Sequence, residues 1–380
     1  MRRLVLLAAA LAASLLVAAC GELTDVQAQD SGITSSPLDP SVEVVIDGFT
    51  RPSALAALGE DEFLVVEQAR GLYHVQNGER TAVAATPTVS LYDIGGLLLG
   101  GMQDVSLHPD FDANGLVYIV YLSEAETMSV ARFGFGDRVV EDFEVIFESN
   151  ARSATAALAW QDADHLFVAQ GTTDARLPQN FSFDSGKIHR LLADGSVPVD
   201  NPVFDGTDGP STVWSIGHGL NRGLVYADGV LYANEHTPGF GGDEFNIIDG
   251  GGNYGYPNVS PNGGNPNAPA VDDDVLATMI DPAASWGDFI FNPSGMILAT
   301  GSAFPALDGL FVFGALDTEQ LVAHDVETGE TTVRWDDAGR LLDLAVLPSG
   351  DLLVAVGAPT GEPGQGELLR LSPPGQPEGG

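Results

Sequence analysis

The sequence predicts an all-β fold, specifically a six-bladed β-propeller, and three observations lead to this prediction. Short apolar runs with alternating character recur along the chain, separated by turns rich in Gly, Asp and Asn. These runs group into units that start near residues 53, 104, 156, 223, 295 and 343. No amphipathic stretch is long enough to suggest strand–helix–strand units. Radial repetition of such units buries their faces against neighbours and leaves only short edges.

Each unit contains at least three predicted strands, with polar turns between them. In chain order the apolar runs are 53–57, 62–66 and 71–75; 104–107, 116–120 and 129–133; 156–160, 166–169 and 187–191; 223–226, 230–233 and 244–248; 295–298, 310–313 and 321–324; and 343–346, 352–355 and 367–371. We therefore assign residues 42–372 to one propeller domain, since a chain of this length can bury a single large core.

The first 19 residues have the features of a bacterial lipoprotein signal peptide. Two arginines precede an apolar run at residues 4–16, which is too short to span a membrane comfortably. The Val-Ala-Ala-Cys sequence that ends at Cys20 resembles a lipobox, in which the cysteine is lipidated and becomes the first mature residue. We therefore expect a protein secreted across the inner membrane and anchored at the cell envelope, on its periplasmic or outer surface. An ordinary signal peptide with a chance cysteine is the alternative.

Composition excludes several partners and chemistries. The formal net charge of −38 disfavours binding to nucleic acid or anionic lipid, so the expected membrane contact is the lipid at Cys20 alone. Cys20 is the sole cysteine, which rules out intramolecular disulfides and Cys-ligated zinc. Residues 20–41 are rich in Gly, Ser, Pro, Asp and Gln and are predicted to form a flexible tether, and residues 373–380 a disordered tail.

One stretch in the fourth unit, residues 235–257, is unusually rich in glycine and acid. Its glycines and prolines disfavour a helix and free backbone carbonyls, and Asp243 and Glu244 are among its carboxylates. Hard cations such as calcium bind to oxygens of this kind. A long surface loop with solvated acids is the alternative. His218 and His236 lie in predicted loops at the top of the propeller, where we expect them to line a pocket.

Seven motifs occur in a fixed order along the chain. They are Asp-Gly-Phe-Thr-Arg-Pro at 47–52, Asp-Val-Ser-Leu-His-Pro-Asp-Phe at 104–111, Gly-Lys-Ile-His-Arg-Leu at 186–191, Asp-Gly-Ser-Val-Pro-Val-Asp-Asn-Pro at 194–202, Glu-His-Thr-Pro at 235–238, Gly-Asp-Glu-Phe-Asn at 242–246 and Asn-Tyr-Gly-Tyr-Pro at 253–257. Over residues 43–372 the chain thereby resembles the glucose/sorbosone dehydrogenase family. The resemblance implies an oxidoreductase that acts on the CH–OH group of a sugar with pyrroloquinoline quinone and calcium.

The resemblance also locates the family's base and cofactor positions, and most of them are changed here. The base histidine corresponds to Ser153, and three cationic cofactor positions correspond to Gly219, Asp317 and Leu342. A glutamine of the second unit corresponds to Leu99. Serine at its ordinary pKa cannot serve as a general base near neutral pH.

These replacements predict weak quinone binding in the family's usual pose. Each lost charge-assisted hydrogen bond removes roughly 1.5–3 kcal/mol. We therefore expect little quinone-dependent oxidation of aldoses unless Arg152 or Arg222 reaches the cofactor from a neighbouring loop. The candidate pocket residues are His218, His236, Arg222 and Arg340, the last of which keeps one family arginine.

The calcium positions implied by the resemblance are better preserved. The cofactor calcium would be held by the main-chain carbonyls of Thr237 and Pro238. A second, structural calcium would use Glu244 and the carbonyl of Tyr254, with Asp243 beside them. Carbonyl ligation does not require a particular side chain.

Three functions remain open at this point. The first is a quinone- and calcium-dependent sugar dehydrogenase. The second is a non-catalytic extracytoplasmic propeller that binds a sugar or a protein. The third is a calcium-dependent hydrolase, for example of lactones, because the calcium-type oxygens are kept where the quinone-type cations are replaced.

Overall fold

The computed structural model describes residues 33–94, 97–204, 209–237, 242–259, 264, 268–287, 291–336, 339–358 and 364–375. The predicted signal peptide, Cys20 and Pro238 lie outside the described residues. None of the helices in this described part is both long and apolar enough to cross a membrane.

The described strands build six sheets and one hairpin. They are β1 (Ile33–Ser35), β2 (Ser41–Phe49), β3 (Pro52–Ala57), β4 (Glu62–Glu67), β5 (Gly71–Gln76), β6 (Glu79–Ala82), β7 (Leu91–Ile94), β8 (Leu97–Gly100), β9 (Met102–Leu107), β10 (Leu116–Leu122), β11 (Met128–Gly134), β12 (Glu141–Glu148), β13 (Ala156–Trp160), β14 (His165–Gln170), β15 (Lys187–Leu192), β16 (Val213–Ile216), β17 (Leu220–Ala227), β18 (Val230–His236), β19 (Asp243–Ile248), β20 (Ala284–Ser285), β21 (Pro293–Leu298), β22 (Phe311–Ala315), β23 (Gln320–His324), β24 (Thr331–Trp335), β25 (Arg340–Val346), β26 (Leu352–Gly357) and β27 (Gly366–Ser372). Two single-turn helices, α1 (Phe111–Asn114) and α2 (Asp273–Leu276), lie in connections.

The six sheets are the blades of a β-propeller, which confirms the predicted fold class. Blades 1 to 5 contain β3–β6, β9–β12, β13–β16, β17–β20 and β21–β24, and blade 6 contains β25–β27 with β2. Strands that are neighbours in sequence pair antiparallel within each blade. The innermost strands β3, β9, β13, β17, β21 and β25 begin within three residues of the six unit starts that the sequence predicts.

The N-terminal strands correct the prediction of a free tether. β2 pairs with β27, from Ser41↔Ser372 to Phe49↔Gly366, so the two ends of the domain close blade 6 together. β1 adds to blade 5 in parallel with β24, and the side chain of Ile33 is buried there. Residues 33–41 are therefore attached to the propeller through strand pairing and the apolar contacts of Ile33. The polar composition of this segment did not predict these contacts.

The apolar core lies between the blades rather than at a single centre. Between blades 4 and 5, for example, Phe245, Trp286 and Phe311 pack with Ile33. His324 is buried in the same region and lies 4.6 Å from the ring of Phe245, and its Nδ1 is 2.9 Å from Thr331 Oγ1. The apolar clusters lie between neighbouring blades, and polar residues share the lining of the propeller axis with apolar ones.

Candidate functional site

The inner strands of the blades surround a cavity of about 200 Å³ on the propeller axis. Five of these strands contain a β-bulge, in which one extra residue interrupts the regular alternation. In β3, β9, β17 and β25 the bulged residues are Ser53, Gln103, Arg222 and Leu342, and all four line the cavity, as does Gly295 at the bulge of β21. Other lining residues include Leu55, Asp104, Leu158 and Asp343.

Arg51 and Arg222 line this cavity, and Arg340 lies within electrostatic reach of both; we call these three residues the arginine cluster. Burial, and then the neighbouring Arg340, lowers the pKa of Arg51. Burial, together with both other arginines, lowers the pKa of Arg222 to about 10. Asp317 and Asp243 act in the opposite direction on Arg222 and offset only part of the effect of burial and of the neighbouring arginines.

The hydrogen-bond acceptors of Arg51 and Arg222 are neutral oxygens. Arg51 Nη1 donates to the carbonyl of Leu98 at 3.3 Å, and Arg222 Nη1 donates to Asn292 Oδ1 at 2.5 Å. None of the ion pairs found at 4.0 Å or less among the described residues involves Arg51, Arg222 or Arg340. The cluster therefore has the chemistry of a site for a ligand with carboxylate groups.

This cluster partly replaces the cationic positions that the sequence analysis found changed. Arg222 does reach the cavity, whereas Arg152 turns away to pair with Glu126 and to stack on Tyr92 at 5.3 Å. Sequence reasoning missed Arg51, although it stands in the first motif. Its position follows from the turn between β2 and β3, which carries it to the axis.

The changed positions themselves have clear structural reasons. Ser153 is fully buried and donates its hydroxyl to the carbonyl of Thr155 at 2.6 Å, so no base stands there. A Cβ on Gly219 would lie 2.8 Å from the carbonyl oxygen of His236, so this position has no room for an arginine without a backbone shift. Asp317 is approached by Asn292 Nδ2 at 3.3 Å.

The two candidate histidines differ in accessibility. His218 is fully buried, with Nε2 2.8 Å from Ser215 Oγ and the ring stacked on Tyr254, and it is not among the residues that line the axial cavity. His236 keeps part of its ring exposed, and its Nδ1 lies 2.7 Å from Asp243 Oδ1. Asp243 is close enough to influence Arg222, so this histidine–aspartate pair neighbours the arginine cluster.

The predicted metal residues separate into two groups. Glu235 and Glu244 are directly opposed across β18 and β19, and Asn246 Nδ2 donates to both carboxylates, at 2.6 and 3.3 Å. Burial, and then the charge of Glu235, raises the pKa of Glu244 well above its usual range. Asp243 precedes Glu244 on the strand and points to the opposite face, where it contacts His236. The charge of Asp243 also helps to raise the pKa of Glu244, so the two carboxylates lie within electrostatic reach although they hydrogen-bond to different partners.

Thr237 and Tyr254, whose main-chain carbonyls are the other predicted ligands, have side chains that form local hydrogen bonds. Thr237 donates its hydroxyl to the carbonyl of Gly242, and Tyr254 donates its hydroxyl to the carbonyl of Ile247 at 2.6 Å. Across the part of the chain that the structure describes, no group of three His, Cys, Asp or Glu side chains could hold a metal by itself.

Two aspartates form a separate feature of the cavity, which sequence reasoning did not assign. Asp104 belongs to blade 2 and Asp343 to blade 6. Burial, and then Asp343, raises the pKa of Asp104 well above its usual range, and burial raises the pKa of Asp343 to about 7. We call these two residues the aspartate pair.

Fold and site together define a six-bladed propeller with a cationic ligand pocket on its axis. The family profile of Glucose / Sorbosone dehydrogenase matches residues 49–370, and the chain belongs to this family. The predicted resemblance is thereby confirmed.

Three relatives illustrate the range of similarity. The chain is 27% identical to the aldose sugar dehydrogenase YliI of Escherichia coli over 366 residues, covering 90% of this chain and 95% of that protein. A solved structure of a glucose dehydrogenase has 29% identity and a TM-score of 0.76, covering 88% of this chain and 99% of that one. Quinoprotein glucose dehydrogenase B of Acinetobacter calcoaceticus is 45% identical over 76 residues, which is 20% of this chain and 15% of that protein.

Proposed function

We propose that this protein is an oxidoreductase that oxidises the CH–OH group of a sugar with pyrroloquinoline quinone as cofactor. The observation that carries the proposal is the arginine cluster, in which Arg51 and Arg222 line the axial cavity and Arg340 lies within electrostatic reach of both. Pyrroloquinoline quinone carries carboxylates, so its charge suits this donor set. The family membership and the quinoprotein among the relatives support the same cofactor.

The arginine cluster would bind and orient the cofactor through its carboxylates. When bound, the quinone supplies the acceptor for the hydride of the sugar C–H bond. Each guanidinium contributes roughly 1.5–3 kcal/mol when it pairs with a carboxylate, so three arginines offset the cations absent at Gly219 and Asp317. This changes the expectation of weak quinone binding, which assumed that only Arg340 remained.

The proton of the sugar hydroxyl needs an acceptor other than Ser153. In our proposal His236 takes this role, since it is the partly exposed histidine beside the arginine cluster. Asp243 accepts the Nδ1–H of His236, which leaves Nε2 as the unprotonated nitrogen. Asp243 is fixed in turn by the backbone N–H of Asn292 at 2.6 Å.

Quinone binding by metal-replete, full-length protein tests the proposal. We expect pyrroloquinoline quinone to change its absorption spectrum on binding, and added aldoses to drive dye reduction. Arg222→Gln should weaken quinone binding by about 10-fold or more. Arg152→Gln is the matched control, because Arg152 lies outside the axial cavity and pairs with Glu126. Absence of quinone binding by the unchanged protein, or an equal loss in both variants, would contradict the proposal.

The second candidate is a non-catalytic propeller that binds a sugar. The buried Ser153, which is engaged with the carbonyl of Thr155, favours it because the family's base position is chemically inert here. Binding of an aldose without any dye reduction, in protein that holds stoichiometric quinone, would favour this candidate over the first.

We also propose that calcium binds at Glu235 and Glu244, where two buried carboxylates face each other. Localisation is a further proposal, namely that Cys20 carries a lipid that anchors the secreted protein at the cell envelope. Fractionation of cells that express the unchanged protein or Cys20→Ser tests the anchor. The unchanged protein should follow the membranes and the variant should not.

A further inference from the structure

The aspartate pair lines the axial cavity, and the proposed oxidation assigns it no role. Asp104 accepts backbone N–H groups of Val105 and Leu158, both at 2.7 Å, so it bridges blades 2 and 3. Asp343 accepts the N–H of Leu55 at 2.8 Å and bridges blades 6 and 1. Within the described residues, the groups that lower the pKa of either aspartate are backbone N–H groups only.

Room for Asp343 depends on the absence of a side chain opposite it. A Cβ on Gly295 of blade 5 would lie only 2.0 Å from Asp343 Oδ1. Both residues line the axial cavity. The carboxylate therefore reaches the cavity through a gap that only glycine leaves open.

Three polar residues that line the same cavity present further oxygens without donors. Gln103 and Thr155 are 9% and 8% exposed, and both line the cavity. Gln103 uses Nε2 to donate to the carbonyl of Ala154, which leaves its Oε1 without a partner, and Thr155 Oγ1 also has none. Gln68 repeats this arrangement, with Nε2 bonded to the carbonyl of Gly100 and Oε1 unpartnered.

The arginine cluster does not neutralise these acids. No arginine contributes to the pKa of Asp104 or Asp343, whereas Asp317 and Asp243 do affect Arg222. The cavity therefore has a cationic part and a separate part that combines two carboxylates with unpartnered amide and hydroxyl oxygens. Oxygens of these types, drawn from several strands, are the ligands of hard cations.

We propose that this part of the axial cavity is a binding site for a divalent cation of the calcium type, held by Asp104 and Asp343 with the side-chain oxygens of Gln103 and Thr155. Two carboxylates balance the charge of one such ion. The cavity of about 200 Å³ also leaves space for the water molecules that would complete its coordination. The site is separate from Glu235 and Glu244, and it does not depend on the proposed oxidation.

Calcium binding to metal-depleted, full-length protein tests this site in the absence of quinone. Isothermal titration calorimetry would be performed in a Glu244→Gln background, so that the proposed site in blade 4 does not contribute. We expect Asp104→Asn with Asp343→Asn to bind one calcium ion fewer per chain. Asn keeps an oxygen for the N–H groups of Leu158 and Leu55. The matched control is Asp137→Asn with Asp308→Asn, which removes the same charge from two exposed residues.

Thr155→Val provides a second test that leaves both carboxylates in place. Its hydroxyl has no partner to lose within the described residues, so the variant should fold, and it should weaken calcium binding by about 10-fold. An unchanged number of calcium ions in the double aspartate variant would overturn the proposal, as would equal losses in the control. Full affinity in Thr155→Val would remove that residue from the site and contradict the ligand set.

Discussion

The arginine cluster and the aspartate pair lie in one axial cavity but are attached to the fold in different ways. Arg51 and Arg222 bring long side chains to the cavity and are held by hydrogen bonds to neutral oxygens, those of Leu98 and Asn292. Asp104 and Asp343 are short and each joins two blades through backbone N–H groups. Substitutions in the cationic part should therefore have little effect on folding, whereas the acidic part also contributes to stability.

A buried charge without a partner should be costly, and His324 tests this away from the cavity with the largest expected effect. Burial lowers the pKa of His324 to about 4, so the unfolded chain binds this proton more readily than the folded one. Stability should therefore be lost as pH falls from about 6.5 to about 4, by an amount on the order of 3 kcal/mol from this residue.

Urea unfolding of His324→Asn across that pH range provides the measurement. The slope of stability against pH should become shallower than in the unchanged protein. His165→Asn serves as the control, because His165 is partly exposed and paired with Asp162. Equal slopes in the unchanged protein and His324→Asn would show that burial of this imidazole costs little.

Arg340→Gln sharpens the comparison at the cationic part. We expect quinone affinity to fall by about 10- to 100-fold, which corresponds to one charge-assisted hydrogen bond. The free energy of unfolding should change by less than about 0.5 kcal/mol, as for surface substitutions. Spectroscopic titration and urea unfolding of the same preparation separate the two effects. A large loss of stability would mean that this arginine, like the aspartates, supports the fold.

Asp343→Ala and Asp343→Asn test the acidic part. Alanine leaves the N–H of Leu55 without its acceptor, which should cost about 1–3 kcal/mol. Asparagine keeps an acceptor and, in metal-depleted protein, should cost less than about 1 kcal/mol. Unfolding by urea measures both. Equal stability of the alanine variant and the unchanged protein would show that the bridge between blades 6 and 1 is dispensable.

The smallest effect is expected at Glu244, which faces Glu235 without a cation. In metal-depleted protein Glu244→Gln removes one of two opposed buried carboxylates, so it should stabilise the fold slightly, by about 0.5–1 kcal/mol. Added calcium should stabilise the unchanged protein and narrow this difference. Thermal unfolding with and without a chelator measures both effects, and an identical calcium response in the variant would count against Glu244 as a ligand.

The sequence predicted the fold well because strand periodicity is a local property. The six unit starts, the inner strands and the family motifs all follow from short stretches. The blade closure through β2 and the attachment of β1 were missed, because polar strands such as Ser41–Phe49 lack a strong apolar pattern.

The site was predicted less completely because its residues are far apart in sequence and come together only when the blades close into a ring. Arg222 belongs to blade 4, whereas Arg340 opens blade 6 and Arg51 lies between blades 6 and 1. The bulge that presents Arg222 interrupts the alternation on which sequence reading depends. Position-by-position comparison with the family found an absent arginine at Gly219 but did not reveal that another residue serves the same cavity. The unpartnered oxygens of Gln103 and Thr155 are likewise invisible without coordinates.

The pairing of β2 with β27 has a consequence for biosynthesis. β2 is made near the beginning of the chain, and its partner ends at Ser372, so a ribosome must deliver almost the whole polypeptide before blade 6 can close. Arg51 directly follows β2, and Arg340 opens the same blade. Capacity to hold an anionic ligand should therefore arise only after the residues of β27 have been made, so that shorter chains do not capture a cofactor.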